Sequence, residues 1–336
     1  MALDEATAAL LAQIASTRTK PIHEMTPAEA RGLVATMRAQ APPGPPMARV
    51  RNARARAAGG VVPVRVLIPG DRPRGVIVYY HGGGWVVGSI EDSDLLGREL
   101  ARATGCAVVL AGYRLAPEYR YPTAVEDSMA ALRWTADHLL DIAGAQVPLI
   151  VAGDSAGGNL AAVVARRASA GGPAIAAQVL VYPVTDADFA TTSYQDPAND
   201  LLLTRESMAW YWDHYAPDAA ARLHPDASPL RAAYLSGLPP AIVVTAEHDV
   251  LRDEGELYAT RLLKAGVPVA HRRFAGQMHG FFTMTGLLPG SADAIEFVAA
   301  ALDAQLGDQL GARPPGRGAA VSCSLPAAEV DQPLTR

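Results

Sequence analysis

Residues 149–170 read LIVAGDSAGGNLAAVVARRASA. The run Leu149 to Gly153 has the length and apolar composition of a buried strand, and from Ala156 the pattern passes into a helix extending to about residue 170. Between them stands Gly153-Asp154-Ser155-Ala156-Gly157, a G-x-S-x-G elbow in the strand–turn–helix context that such an elbow requires. A serine on so tight a turn sits in strained backbone, and bulky flanking residues would collide, hence Gly153 and Gly157. Its hydroxyl then stands exposed above the sheet at a helix N-terminus, and Ser155 is expected to be a nucleophile. A glycine-rich turn that merely joins strand to helix is the bland alternative.

The same alternation continues outward. Short β-branched runs near 75–80, 106–111, 178–182, 241–246 and 268–274 are spaced by helical segments near 93–104, 122–142, 252–265 and 291–306. That rhythm argues for a mostly parallel central sheet with helices on both faces. Ser291 reads as the N-cap of the last helix. Upstream, extended residues from Val50 to Ala57 and from Val61 to Ile68 flank Gly59 and Gly60, a hairpin signature. Two helices are expected before that, at about 3–17 and 26–40; the second opens on Thr26, Pro27 and Glu29, a capping box with proline at the first helical position. The expected division is therefore N-terminal helices over 1–45, a catalytic α/β domain over 46–307, and a disordered tail over 308–336, where Pro and Gly replace periodicity. Residues 184–238 interrupt the rhythm with polar loops and the aromatic helix Thr204 to Tyr215, which reads as a lid or cap inserted over the site.

A serine hydroxyl needs a base, and in an α/β fold with this elbow the chain order is serine, acid, histidine. Of the eight histidines only His271 and His279 lie near the last strand. His271 falls within the strand pattern, whereas His279 follows it in a loop, so His279 is the expected base. After the strand at 241–246 come Glu247, Asp249, Asp253 and Glu254. Glu247 is too close to the strand, and Asp253 and Glu254 suit the first turn of a helix, where the macrodipole favours acids whatever their function. Asp249 is left to orient the imidazole. Directly after the strand at 75–80 stand His81, Gly82, Gly83, Gly84 and Trp85; the backbone N–H groups of Gly83 and Gly84, with that of Ala156, are the expected oxyanion donors. A phosphate loop is the alternative, but no Walker lysine or G-x-G-x-x-G spacing accompanies the glycines.

With 336 residues, half of them hydrophobic, the chain has ample core. A net charge of −5 with scattered basic residues indicates neither nucleic acid nor a membrane surface as partner. The N-terminus carries Asp4 and Glu5 where a signal peptide would be basic, and no apolar run reaches spanning length, so the expected location is cytoplasmic. Cys106 and Cys323 lie in unlike settings and are not expected to pair.

HGGG at 81–84, YRLAPE at 113–118, GDSAGG at 153–158, DVLRDE at 249–254 and HGF at 279–281 together resemble the bacterial hormone-sensitive-lipase-like esterases, also called family IV. The resemblance covers most of residues 50–306. It implies an α/β-hydrolase fold, a carboxylesterase acting on short to medium acyl chains, no cofactor or metal, and a cap made from the N-terminal helices plus an inserted segment. It points to Ser155, Asp249 and His279 as the triad and to Gly83, Gly84 and Ala156 as the oxyanion hole. It departs at Val250, where the family often has proline. It also implies a homodimer through the edge strand near 268–274, although His271, Arg272 and Arg273 would equally keep an edge unpaired. Substrate-pocket candidates are Trp85, Met208, Trp210, Tyr211, Trp212, Phe281 and Phe282, of which Trp85, Met208, Tyr211 and Phe281 are the expected wall. An amidase or lactonase using the same residues is the alternative reaction, and a small-molecule receptor on a hydrolase scaffold the alternative class.

Overall fold

A computed structural model describes residues 2–17, 19–39 and 42–307. Eight strands form one sheet: β1 (Arg49–Ala57), β2 (Gly60–Ile68), β3 (Val76–Tyr80), β4 (Ala107–Ala111), β5 (Leu149–Asp154), β6 (Ala177–Val181), β7 (Ala241–His248) and β8 (Val269–Met278), in the order β1-β2-β4-β3-β5-β6-β7-β8. β2 runs antiparallel to both β1 and β4, and every other pair is parallel. All residues of β3, β4, β5, β6 and β7 are buried, as expected of strands covered on both faces, whereas the β1–β2 hairpin alternates.

The helices are α1 (Glu5–Ser16), α2 (Pro27–Arg38), α3 (Ile90–Thr104), α4 (Thr123–Asp137), α5 (Leu139–Ala143), α6 (Ala156–Ser169), the one-turn α7 (Thr192–Gln195), α8 (Arg205–Tyr215), the one-turn α9 (Ala219–Arg222), α10 (Arg252–Lys264) and α11 (Pro289–Leu306). Apolar residues of α4, α6 and α10 pack on one face of the sheet and those of α3 and α11 on the other. The chain passes from β3 to β4 on one side and then to β5 on the other. The strand order thus reverses at β3, and in open α/β sheets ligands bind in the crevice outside the carboxyl ends of the strands at such a point. The HGGG loop follows β3 and the serine elbow follows β5.

Three local expectations are corrected. The helix expected over 122–142 is two, broken at His138, whose ring Nδ1 lies 2.7 Å from the Trp134 carbonyl. The last strand does not stop at 274 but continues to Met278, because β7 also runs on and pairs His248 with Met278 across an irregularity; Gly276, at φ 69°, supplies the kink that reads as a loop in sequence. α11 opens with Pro289 at its first position after Leu288, while the Ser291 hydroxyl donates instead to the Phe282 carbonyl at 2.8 Å. The reading of 308–336 as a tail, and the pairing state of Cys323, fall outside the described residues; Cys106 is buried and free.

Candidate active site

Ser155 sits at φ 55°, ψ −118°, a strained conformation for a residue with a side chain, and it is 7% exposed. Its N–H donates to the Val181 carbonyl at 2.9 Å, and its own carbonyl accepts from Asn159 and Val184. The two glycines of the elbow are demanded by backbone. A Cβ on Gly153 would strike the Gly157 carbonyl, and one on Gly157 would strike the Tyr80 carbonyl at the end of the neighbouring strand.

The glycine loop is held one peptide at a time. The His81 carbonyl accepts from the Tyr113 hydroxyl at 2.7 Å, and the Gly82 N–H donates to Asp154 Oδ1 at 2.9 Å. His81 Nδ1 lies 2.7 Å from the Gly82 carbonyl, which only accepts, so the ring carries its proton on Nδ1. Burial pushes the His81 pKa down and favours that neutral form, and the ring stacks on Tyr113 at 4.3 Å. The Gly83 carbonyl accepts from Val86 and Val87 at 3.0 and 2.9 Å. A trans peptide points its N–H opposite to its carbonyl, so these bonds fix the directions of the Gly83 and Gly84 N–H groups. Among the described residues those two N–H groups have no acceptor. Ala156, fully buried, opens α6 beside them in the elbow.

Across the sheet end, His279 bridges the remaining pieces. Its Nδ1–H donates to Asp249 Oδ2 at 2.7 Å, and its Nε2 accepts from Ser155 Oγ at 3.1 Å. Asp249 is 1% exposed, and its other oxygen accepts from the Leu251 N–H at 2.9 Å. The three competing carboxylates are engaged elsewhere. Glu247 accepts from Gly276 N–H at 2.7 Å, which lowers its pKa; Asp253 accepts from Ser193 N–H at 2.7 Å; Glu254 accepts from Thr185 and Asp186 N–H at 2.6 and 3.2 Å. Val250 is compatible with this loop, its carbonyl accepting from the Ser193 hydroxyl at 2.6 Å.

Residues 77–283 match the α/β hydrolase fold family. The chain is 40% identical over 241 residues to the carboxylesterase NlhH of Mycobacterium tuberculosis, which spans 69% of this chain and 75% of that one. The chain belongs to the α/β-hydrolase family, in its hormone-sensitive-lipase-like branch. It is also 37% identical over 254 residues to an ethyl acetate hydrolase of Pseudomonas putida, covering 74% of this chain and 80% of that one. A hyperthermophilic esterase from Pyrobaculum calidifontis superposes with a TM-score of 0.83 at 38% identity, covering 90% of this chain and 99% of that one.

In this hydrolase the expected wall residues have distinct placements. Met208, Tyr211, Trp212 and Tyr215 form the buried stripe of α8, and the Tyr211 ring occupies the space that a Cβ on Gly84 would need. Trp85 is fully buried, stacked on Tyr215 at 4.1 Å and tilted against Trp212 at 4.8 Å, so it joins the glycine loop to α8. Phe281 is also fully buried, packed on Tyr182 and Phe274, and Phe282 is 1% exposed. Trp210 is only half-buried, against His214.

Four participants escape a reading of the sequence. Tyr182, at φ 32°, sets its ring 4.5 Å from that of His279. Asp154 ties the elbow to the glycine loop. Arg31 of α2 donates to the Val86 and Ala116 carbonyls at 2.8 and 2.7 Å and forms a two-pronged bond with Glu118. Asp4, the N-cap of α1, accepts from the Gln277 amide at 2.6 Å, and its N–H donates to the Gly276 carbonyl, two to three residues from His279. Asp154 and Glu118 lie inside the GDSAGG and YRLAPE motifs, but the sequence does not show what either holds, and nothing local marks Arg31, Asp4 or Tyr182.

Proposed function

We propose that the chain hydrolyses carboxylic esters of short to medium acyl chain through an acyl-enzyme on Ser155. His279 takes the Ser155 proton as the hydroxyl attacks the carbonyl and returns it to the departing alcohol; a water activated by the same imidazole then frees the acid. Asp249 holds the Nδ1–H tautomer and stabilises the imidazolium. The N–H groups of Gly83, Gly84 and Ala156 receive the negative oxygen of the tetrahedral intermediate. The observation that carries this reading is the unbroken chain Asp249–His279–Ser155, at 2.7 and 3.1 Å, set where the strand order reverses.

The Pseudomonas relative named ethyl acetate hydrolase supports a small ester as substrate. α1 and α2 together with residues 184–238 act as the cap, with Tyr211 against the glycine loop limiting the space beside it. No described helix is long and apolar enough to cross a membrane.

Ser155→Ala is expected to abolish hydrolysis of a short nitrophenyl ester, a loss of about 10⁴-fold or more, with unchanged thermal unfolding. A fluorophosphonate should label the parent once, at Ser155. Parent-level turnover in the alanine variant, or an unlabelled parent, would sink the proposal. A panel of esters of increasing acyl length, with one amide and one lactone, then fixes the leaving-group preference.

A further inference from the structure

Within the reading of Ser155 as nucleophile, we infer that Asp154 is a positioning residue that sets the spacing between the nucleophile and the oxyanion donors. Its backbone belongs to the elbow and its neighbour is Ser155, yet its carboxylate leaves the elbow and grips the other strand end. Oδ1 accepts two bonds there, from the Tyr79 hydroxyl at 2.6 Å and from the Gly82 N–H at 2.9 Å. Tyr79 is a residue of β3 and Gly82 follows that strand by two positions. One side chain thereby joins β5 to β3 at the level where Tyr80 pairs with Gly153, the last rung before both chains depart into the site.

The geometry around Gly82 shows how closely this joint is built. A Cβ on Gly82 would lie 2.2 Å from the second carboxylate oxygen, so the glycine there makes room for Asp154 and not for substrate. The peptide between His81 and Gly82 is pinned from both ends, its carbonyl by the Tyr113 hydroxyl and its N–H by Asp154. The next peptide, whose N–H is that of Gly83, is then aimed by the His81 ring on the Gly82 carbonyl. If the Asp154 acceptor is removed, the first plane in this series keeps only the Tyr113 hydroxyl on its carbonyl, and the Gly83 and Gly84 donors that follow it lose part of their alignment. The attack of Ser155 on a carbonyl would proceed, but the oxygen would develop charge without its donors aligned. Asp154 itself is 7% exposed, so few waters can take its place.

The acceptor oxygen is the required feature, and an asparagine retains it: its amide oxygen can accept from both Tyr79 and Gly82. The experiment compares Asp154→Ala, Asp154→Asn and Ser155→Ala with the parent, measuring kcat and KM on a short nitrophenyl ester and fluorophosphonate labelling. Asp154→Ala is expected to lose about 10²-fold in kcat with KM changed by less than about threefold, since donors aimed at the developing oxyanion act in the transition state. Ser155 should still be labelled in that variant, more slowly than in the parent. Asp154→Asn should recover to within about fivefold of parental kcat, the residual reflecting an amide oxygen in place of a carboxylate oxygen as acceptor. An alanine variant within twofold of the parent overturns the inference, and so does an asparagine variant as impaired as alanine. If the alanine variant does not fold, asparagine alone decides it: a kcat more than about tenfold below the parent overturns the inference. A parent that fails to be labelled at Ser155 would overturn the nucleophile reading and not the role of Asp154 alone.

Discussion

At the ends of β3 and β5 the chain is fixed chiefly by backbone lying against backbone, with the Asp154 carboxylate clamped across them, whereas at the ends of β7 and β8 carboxylates do most of the holding. On the serine side, Gly153 and Gly157 touch carbonyl groups, and Gly83 lies where a Cβ would strike the Val87 carbonyl. On the histidine side, Glu247, Asp253 and Glu254 each accept from the N–H of a distant segment, and Asp4 reaches in from the N-terminus. Backbone exclusion leaves no residue but glycine. A carboxylate acceptor can be exchanged for another oxygen at moderate loss. The serine side should therefore be brittle and the histidine side graded.

The sharpest way to break this comparison is to add one methyl group to each side. In Gly157→Ala the new Cβ enters the Tyr80 carbonyl, which belongs to a central strand and cannot yield. The expected cost is about 4 kcal/mol or more, the range of severe core lesions, together with loss of turnover. Gly255→Ala, on α10, meets only Pro183 Cδ at 3.4 Å and Thr245 Cγ2 at 3.5 Å, ordinary contact distances. There the gain in helix propensity, up to about 1 kcal/mol, should leave stability equal to or above the parent. Denaturant midpoints for the two variants test the pair; equal losses would remove the distinction.

The difference also explains what a reader of the sequence can see. Exclusion by backbone is local, so it is written as glycines at fixed spacing beside a strand, and Ser155, Gly83 and Gly84 stand out at once. The strand-and-helix rhythm is similarly local, which is why the parallel sheet and nearly all its elements were legible. Asp249 emerged only by elimination among four carboxylates. The duties of the other three were hidden because their partners, Gly276, Ser193, Thr185 and Asp186, lie far along the chain. Arg31 and Tyr182 were hidden for the same reason. The glycine loop was legible in outline but not in cause: Gly82 makes room for Asp154 and Gly84 for Tyr211, where the sequence pointed only to backbone donors for the oxyanion.

Glu254 tests the graded side. Removing the acceptor in Glu254→Ala leaves two buried N–H groups, those of Thr185 and Asp186, without it, for an expected loss of about 2–4 kcal/mol. Glu254→Gln keeps the accepting oxygen and should stay near the parent. The two also differ in pH response. Burial drives the Glu254 pKa well above the ordinary 4.5, so its neutral form is the one the fold favours. The stabilisation tied to that proton is fully present below 4.5 and is lost as pH rises through the raised folded value. Glutamine cannot lose it. Unfolding free energies measured from pH 4 upward should therefore show the glutamine variant gaining on the parent; parallel curves would contradict a buried carboxyl.

The smallest effect is expected where the serine side borrows a surface ion pair. Arg31 holds α2 against the Val86 and Ala116 carbonyls, and its pairing with Glu118 lowers the Glu118 pKa from the ordinary 4.5 to about 2. Glu118 is 55% exposed and Arg31 31% exposed, however, so solvent screening reduces the pair to about 0.5–1 kcal/mol. Because the folded pKa is depressed, this stabilisation is present above 4.5 and is lost as pH falls toward 2. Glu118→Gln should accordingly be less stable than the parent by that small margin at pH 7, with the gap closing on acidification below 4.5, as read from urea midpoints. The Arg31 bonds to the two carbonyls remain in the variant, so α2 should stay docked and turnover near parental. A gap that stays constant down to pH 3 would mean that Glu118 acts by shape and not by charge, and a loss of several kcal/mol would make this strap as indispensable as the glycines beside it.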